Sequence, residues 1–309
     1  MRDWRAVDVA TEDGTLRVGI TEGERPDAPA VLAVHGITAS LMAWRPVAEH
    51  CPGYRVIAPD LRGRGHSARL PGPYGMAQHA DDLARILDAL DVERPVVVGH
   101  SMGGFVALVF GHRHPSRTRG LLLVDGGVPL PVPPDVAVDR ITEAILGPAL
   151  ARLSATFPAR SAYCDFWRVH PAFVGKWTPA VEAYVDYDLT GSEPYLRSRV
   201  SAEAVSADSR DQLVGTTFQE AVAAVGGAPL RLLRAPLGLQ NEPPGLYPEP
   251  ALEAATSRLP GLVWKTVPDV NHYTVLLSDH GARAVGAAIR EAVHSSESGT
   301  GQAVGTVLD

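Results

Sequence analysis

With 309 residues, 45% of them apolar and 20% charged, the chain has ample material for a buried core and the balance of an ordinary globular protein. A formal net charge of −7 argues against a protein that tracks nucleic-acid phosphates, so no nucleic-acid partner is expected. No apolar run approaches the roughly 18 residues needed to cross a bilayer, which excludes a transmembrane span.

The N-terminal residues Met1-Arg2-Asp3-Trp4-Arg5 do not open an apolar export signal, and the expectation is a cytoplasmic protein. From there, short β-branched runs alternate with helical stretches. Strands are expected at 16–21, 30–35, 54–58, 95–99, 120–124, 230–234 and 263–267. Between them, 76–90 carries Met76, Ala80, Leu83, Leu87 and Leu90 at helical spacing, with Asp81, Asp82 and Arg85 off that stripe. A second helix is expected at 105–112, closed by Pro115, and a third, alanine-rich, at 282–293. Strands 30–35 and 95–99 are almost wholly apolar, as when both faces of a parallel sheet are covered by helices.

The alternation stops between about residues 128 and 228. That stretch opens on Pro129, Pro131, Pro133 and Pro134 and has no convincing strand. Residues 157–195 hold nine of the chain's nineteen aromatic side chains, among them Phe166, Trp167 and Trp177. A helical insertion over one edge of the sheet fits this best. Its aromatics either line a substrate pocket or form the insertion's own small core. The organisation expected is a core of 1–127 with 229–294, a helical cap of 128–228, and a disordered tail of 295–309 rich in Ser, Gly and Thr. Two distant cysteines, Cys51 and Cys164, exclude a disulfide framework. Only Lys176 and Lys265 are lysines, so codon bias accounts for the abundance of arginine, and no single arginine carries meaning here.

The chemistry lies in Val96-Val97-Val98-Gly99-His100-Ser101-Met102-Gly103-Gly104, a strand running into a helix through Gly-x-Ser-x-Gly. A serine on so sharp a turn is strained and holds its hydroxyl above the sheet. Gly99 and Gly103 leave room that side chains two residues either side would fill, and the helix from Met102 aims its amides at the site.

These residues resemble the α/β-hydrolase superfamily, in the lineage with a helical cap after the sixth strand, over about residues 15–294. His35-Gly36-Ile37-Thr38 is similar to the family's oxyanion loop, and Asp60-Leu61-Arg62-Gly63-Arg64-Gly65-His66-Ser67 to its structural D-x-R-G-x-G-x-S segment. Asp269-Val270-Asn271-His272-Tyr273 stands where the family keeps its catalytic histidine. The resemblance implies Ser101 as nucleophile, His272 as base, and the backbone amides of Ile37 and Met102 as oxyanion donors. His100 is read as structural.

The acid departs from the family's pattern. The loop after strand 230–234 has no Asp, and Glu242 is its only carboxylate; Asp125, at the tip of strand 120–124, is the other position some capped relatives use. Both stay open as the triad acid. Serine at the turn disfavours dehalogenases and epoxide hydrolases of this fold, which use Asp there. It implies an acyl-enzyme route on a small apolar or ring-bearing ester, thioester or lactone. Perhydrolases and carbon–carbon bond hydrolases share the same serine, and a small-ligand binding protein with little turnover is the alternative from another class. No histidine has carboxylate or cysteine companions at metal spacing, so neither metal nor cofactor is expected.

Overall fold

In the computed structural model, which describes residues 4–130, 135–225 and 229–297, each expected strand forms. Strands β1 (Arg5–Thr11) and β2 (Gly14–Thr21) make an antiparallel hairpin. Next come β3 (Ala30–Val34), helix α1 (Arg45–Glu49), β4 (Arg55–Pro59), α2 (Met76–Ala89), β5 (Val96–His100), α3 (Met102–Arg113) and β6 (Gly120–Val124). A helical insertion then carries α4 (Val138–Leu146), α5 (Pro148–Ala151), α6 (Arg160–Arg168) and α7 (Pro179–Tyr187). It continues through a two-residue ribbon of β7 (Leu189–Thr190) and β8 (Arg197–Ser198) to α8 (Ala202–Val214) and α9 (Thr216–Val225). The chain returns to the sheet with β9 (Leu230–Arg234), α10 (Glu249–Ala255) and β10 (Leu262–Thr266), and ends in α11 (Thr274–Leu277) and α12 (Asp279–Glu297).

The main sheet has eight strands in the order β1-β2-β4-β3-β5-β6-β9-β10. Only β2 runs antiparallel to its neighbours; every pair from β4 to β10 is parallel. Strand β1 is not among the expected strands; it lies at the sheet edge with Val9 as its one buried residue.

Successive strand residues point to opposite faces, and the core divides accordingly. Val96, Val98, Leu122 and Val124 pack with Val285 and Ile289 of α12, in a layer continuous with Tyr163, Trp167 and Phe173 of the insertion. Leu32, Val34, Val97 and Leu123 pack on the other face with Leu83 of α2, Val106 of α3 and Leu252 of α10. Helix α9 belongs to this second layer, although it falls inside the stretch expected to form the cap: Phe218 lies 4.6 Å from Phe105 of α3, ring centre to ring centre.

Two local expectations change. Asp82, placed off the apolar stripe of α2, is buried, because Arg62 reaches it with Nε and Nη2 at 2.9 and 3.0 Å. A buried carboxylate is tolerable only with such a two-pronged partner. Helix α12 runs to Glu297, past Ser295 where the tail was expected to begin. The rest of that tail, 298–309, and Pro131, Pro133 and Pro134 lie outside the described residues. Cys51 and Cys164 are both buried and are not joined in a disulfide. Among the described residues no helix is long and apolar enough to cross a membrane.

Candidate active site

Between the end of β5 and the start of α3, Ser101 adopts φ 54° and ψ −126°, a conformation closed to most residues with a side chain. Glycines make it possible. A Cβ on Gly99 would lie 2.0 Å from the Gly103 carbonyl oxygen, and one on Gly103 would lie 2.1 Å from that of Val34. Gly126, just beyond β6, closes the third side: its Cβ would come within 2.1 Å of the Ser101 carbonyl oxygen. The Ser101 amide donates to the Val124 carbonyl at 3.0 Å, tying the turn to the neighbouring strand.

Asp125 caps β6, also at positive φ (44°), and is fully buried. Its Oδ1 accepts from the Ala235 amide at 3.0 Å, and its Oδ2 accepts from His272 Nδ1 at 2.7 Å. That bond sets the tautomer: with the proton on Nδ1, His272 Nε2 is a free acceptor. The His272 loop follows β10 and is pinned on both sides. Its amide donates to the Leu237 carbonyl at 3.0 Å, and its carbonyl accepts from His100 Nε2 at 2.8 Å. Burial, and then the neighbouring His272, hold His100 well below the usual imidazole range, so it stays neutral and serves as this donor.

The loop after β3 is tied to the segment that follows β4. His35 Nδ1 donates to the Gly36 carbonyl at 2.8 Å, while its Nε2 accepts from the Leu61 amide at 2.9 Å. Burial pushes His35 down to about 3, which keeps it the neutral two-way linker this requires. Among the described residues neither the Ile37 nor the Met102 amide finds an acceptor.

Ser101, Asp125, His272, Gly36 and Ile37 line one cavity of about 60 Å³, measured for the centre of a water-sized sphere. Its far wall comes from the insertion and the loop after β9, with Leu130, Ile145, Leu146, Tyr184, Leu213 and Leu239. Among the described residues no lysine, arginine or glutamate lines it.

The other expected residues lie elsewhere. Glu242 is exposed and turns back on its own loop, where its Oε2 accepts from the Gln240 amide at 2.8 Å; it makes no bond to His272. Phe166, Trp167 and Trp177 are absent from the cavity wall. Trp167 is buried against Phe173 and Tyr273, with ring centres at 5.7 and 6.1 Å and the Arg152 guanidinium over its face at 5.1 Å. Phe166 packs edge-on to Phe157 and Trp167, and Trp177 lies under Arg168. These aromatics hold the insertion together and to the sheet. Of the nine aromatics of 157–195, Tyr184 does line the cavity, whereas Gly126 and Tyr273 were given no role from the sequence; the pair Gly126-Gly127 directly after Asp125 was the one available signal for a close approach.

Eight strands in this order, a serine on a glycine-walled turn and a histidine after the last strand call for comparison with known proteins. A family model described as alpha/beta hydrolase fold matches residues 29–158. The solved structure of E-2-(acetamidomethylene)succinate hydrolase superposes with a TM-score of 0.73 and 21% identity, covering 94% of this chain and all of that one. The chain has the α/β-hydrolase fold. A thioesterase domain from the curacin biosynthetic pathway shares that fold, with a TM-score of 0.69, 19% identity and coverage of 93% and 99%. Among curated proteins, an uncharacterised protein of Mycobacterium tuberculosis is 38% identical to this α/β-hydrolase-fold chain over 136 residues, 42% of this chain and 39% of its own. Lipase LipV of the same species is 38% identical over 106 residues, or 34% and 40%. The 2-hydroxymuconate semialdehyde hydrolase of a Pseudomonas species is 36% identical over 108 residues, or 33% and 38%. The matched stretch thus spans about two-fifths of the length of these curated relatives.

Proposed function

We propose that the chain is a serine hydrolase that cleaves an uncharged, apolar carboxylic ester, thioester or lactone through an acyl-enzyme, with Ser101, His272 and Asp125 as its triad. The observation that carries this is the 2.7 Å bond from His272 Nδ1 to buried Asp125, which leaves Nε2 free in the cavity that Ser101 also lines. In acylation, Ser101 Oγ attacks the carbonyl carbon while its proton passes to His272 Nε2. The imidazolium that results is stabilised by Asp125, and the carbonyl oxygen, now anionic, is received by the amides of Ile37 and Met102. Collapse breaks the bond to the leaving group, which takes the proton from His272. Water then repeats the sequence, freeing the acid and restoring Ser101.

The cavity wall supports the substrate class. It is mostly aliphatic and aromatic, with Thr38, Thr142, Ser209 and Gln212 as neutral polar members and, among the described residues, no lysine or arginine to pair with a substrate carboxylate. Glu242, capping its own exposed turn, has no part in the scheme. A carboxylate on His272 Nδ1 supports turnover over the ligand-binding alternative.

The test is treatment with a small fluorophosphonate, followed by intact mass and peptide mapping. A single adduct on Ser101 is expected. No adduct, where a control serine esterase labels fully, overturns the proposal. A panel of neutral esters, thioesters, lactones and carbamates beside carboxylate-bearing analogues then tests the substrate class. Preference for the charged analogues contradicts it.

A further inference from the structure

Three consecutive carbonyls of the oxyanion loop are each held by a buried side chain. His35 takes the Gly36 carbonyl, whose peptide unit carries the Ile37 N–H on its opposite edge; drawing that oxygen one way turns the amide hydrogen the other. The next two carbonyls go to arginines. Arg64, fully buried after β4, donates from Nε to the Ile37 carbonyl at 2.8 Å. Arg152, buried at the end of α5, donates from Nη2 to the Thr38 carbonyl at 2.7 Å.

A buried guanidinium is costly unless its donors are matched by acceptors and its charge by a carboxylate. In both cases the carboxylate comes from the insertion. Arg64 Nη1 pairs with Asp208 of α8, which also accepts from His79 Nε2 at 2.9 Å and from the Gly75 amide at 2.6 Å. Arg152 Nε reaches Asp188, directly after α7, at 3.2 Å, and Asp188 is held by Ser198 and Tyr163. The remaining Arg152 donor, Nη1, is spent on the Ala149 carbonyl at 2.6 Å. Each arginine therefore has the oxyanion loop on one side and an insertion carboxylate on the other.

We propose that Arg152, together with Arg64, is a positioning residue through which the docked insertion sets the direction of the Ile37 amide, so that the oxyanion site is complete only with Asp188 and Asp208 in place. This rests on the serine-hydrolase reading above and adds to it a role for the insertion beyond walling the cavity. Neither arginine touches substrate. Their effect is confined to the step in which the carbonyl oxygen becomes anionic, because only there does the aim of the Ile37 N–H matter.

The experiment uses the full chain and an aryl trifluoromethyl ketone, which adds Ser101 Oγ to give a hemiketal whose oxygen ionises in the oxyanion site. Fluorine NMR against pH reads the ionisation of that oxygen. The matching aryl carbinol, which has no carbonyl, reads ground-state binding. In R152M the hemiketal is expected to ionise about one to two pH units higher than in the wild type. Ester kcat should fall about tenfold to a hundredfold, with KM and carbinol affinity within about twofold. R152K restores one donor to Thr38 without reaching Asp188 and should recover part of the loss. If R152M does not fold, D188N, which leaves the guanidinium in place but weakens its anchor, takes over and should shift the hemiketal the same way by a smaller amount. A folded R152M or D188N with wild-type hemiketal ionisation and kcat overturns the positioning role alone. A wild-type chain that forms no Ser101 adduct overturns the serine-hydrolase reading, and the positioning role falls with it.

Discussion

At the end of β5 the backbone is held by what is missing: glycines at 99, 103 and 126 let three segments approach so closely that a single methyl group would meet a carbonyl oxygen at about 2 Å. At the end of β3 the backbone is held by what is present, since His35, Arg64 and Arg152 each grip one carbonyl of Gly36, Ile37 and Thr38. The first arrangement is steric, local and insensitive to protonation. The second is polar, assembled from distant parts of the chain, and depends on charges staying paired in a dry interior. The turn at Ser101 is thus held by the core alone, whereas the loop after β3 is held jointly with the insertion.

The largest effect expected is on turnover. S101A should lower kcat by about a millionfold while leaving the thermal midpoint close to that of the wild type, because the glycine packing does not need the hydroxyl. Retention of a tenth of the activity removes Ser101 from the chemistry. D125N breaks the polar tie to His272 Nδ1 and should cost about ten-thousandfold in kcat, since the amide favours the wrong imidazole tautomer. E242Q, made beside it, should leave kcat within about twofold; if the two results are exchanged, the acid is Glu242.

G103A attacks the steric side. Its Cβ would lie 2.1 Å from the Val34 carbonyl oxygen, and a loss of about 3 kcal/mol in denaturant unfolding is expected. Unchanged stability would mean that the turn can relax, and the contrast with the polar side would weaken.

The polar side should instead respond to acid. Burial pushes His35 down to about 3 and His170, which packs on Trp167 in the insertion, down to about 4, and His100 lies well below the usual range. Above pH 6.5 these histidines are neutral folded or unfolded, and their packing contributes in full. As pH falls below 6.5 the unfolded chain takes up protons that the folded chain refuses, so stability drops. Asp60 opposes this: burial raises it to about 6, so between pH 4 and 6 the folded chain keeps a proton that the unfolded chain releases. Three histidines against one carboxylate give a net loss on the order of a few kcal/mol between pH 6.5 and 4.5. Denaturant midpoints that stay flat over that range would contradict the assignment.

The same contrast explains what the sequence made legible. The turn at Ser101 is local, and its glycines stand two residues from the serine on either side, so motif, strand and helix were all visible together. The choice between Asp125 and Glu242 turned on which strand tip meets a histidine 147 positions further along, a matter of sheet order. Arg64 and Arg152 were hidden by their own commonness in an arginine-rich chain; a buried arginine and a solvated one look the same until a neighbour is known. Asp82 misled for that reason. The aromatics of 157–195 marked a dense region correctly, but density does not say whether rings face a cavity or one another. Here Phe166 and Trp167 pack against each other and Trp177 against Phe173, while Tyr184 joins the aliphatic Leu130, Ile145 and Leu146 in the wall.

The two thiols happen to be shared out between these regions. Cys51 lies two residues past α1 in the sheet-bearing part, and Cys164 lies on α6 of the insertion; neither reaches solvent. A thiol reagent in native buffer can therefore modify each only when its own surroundings open, and the two modification rates, separated by peptide mass, become independent clocks for the breathing of roof and foundation in the unaltered protein.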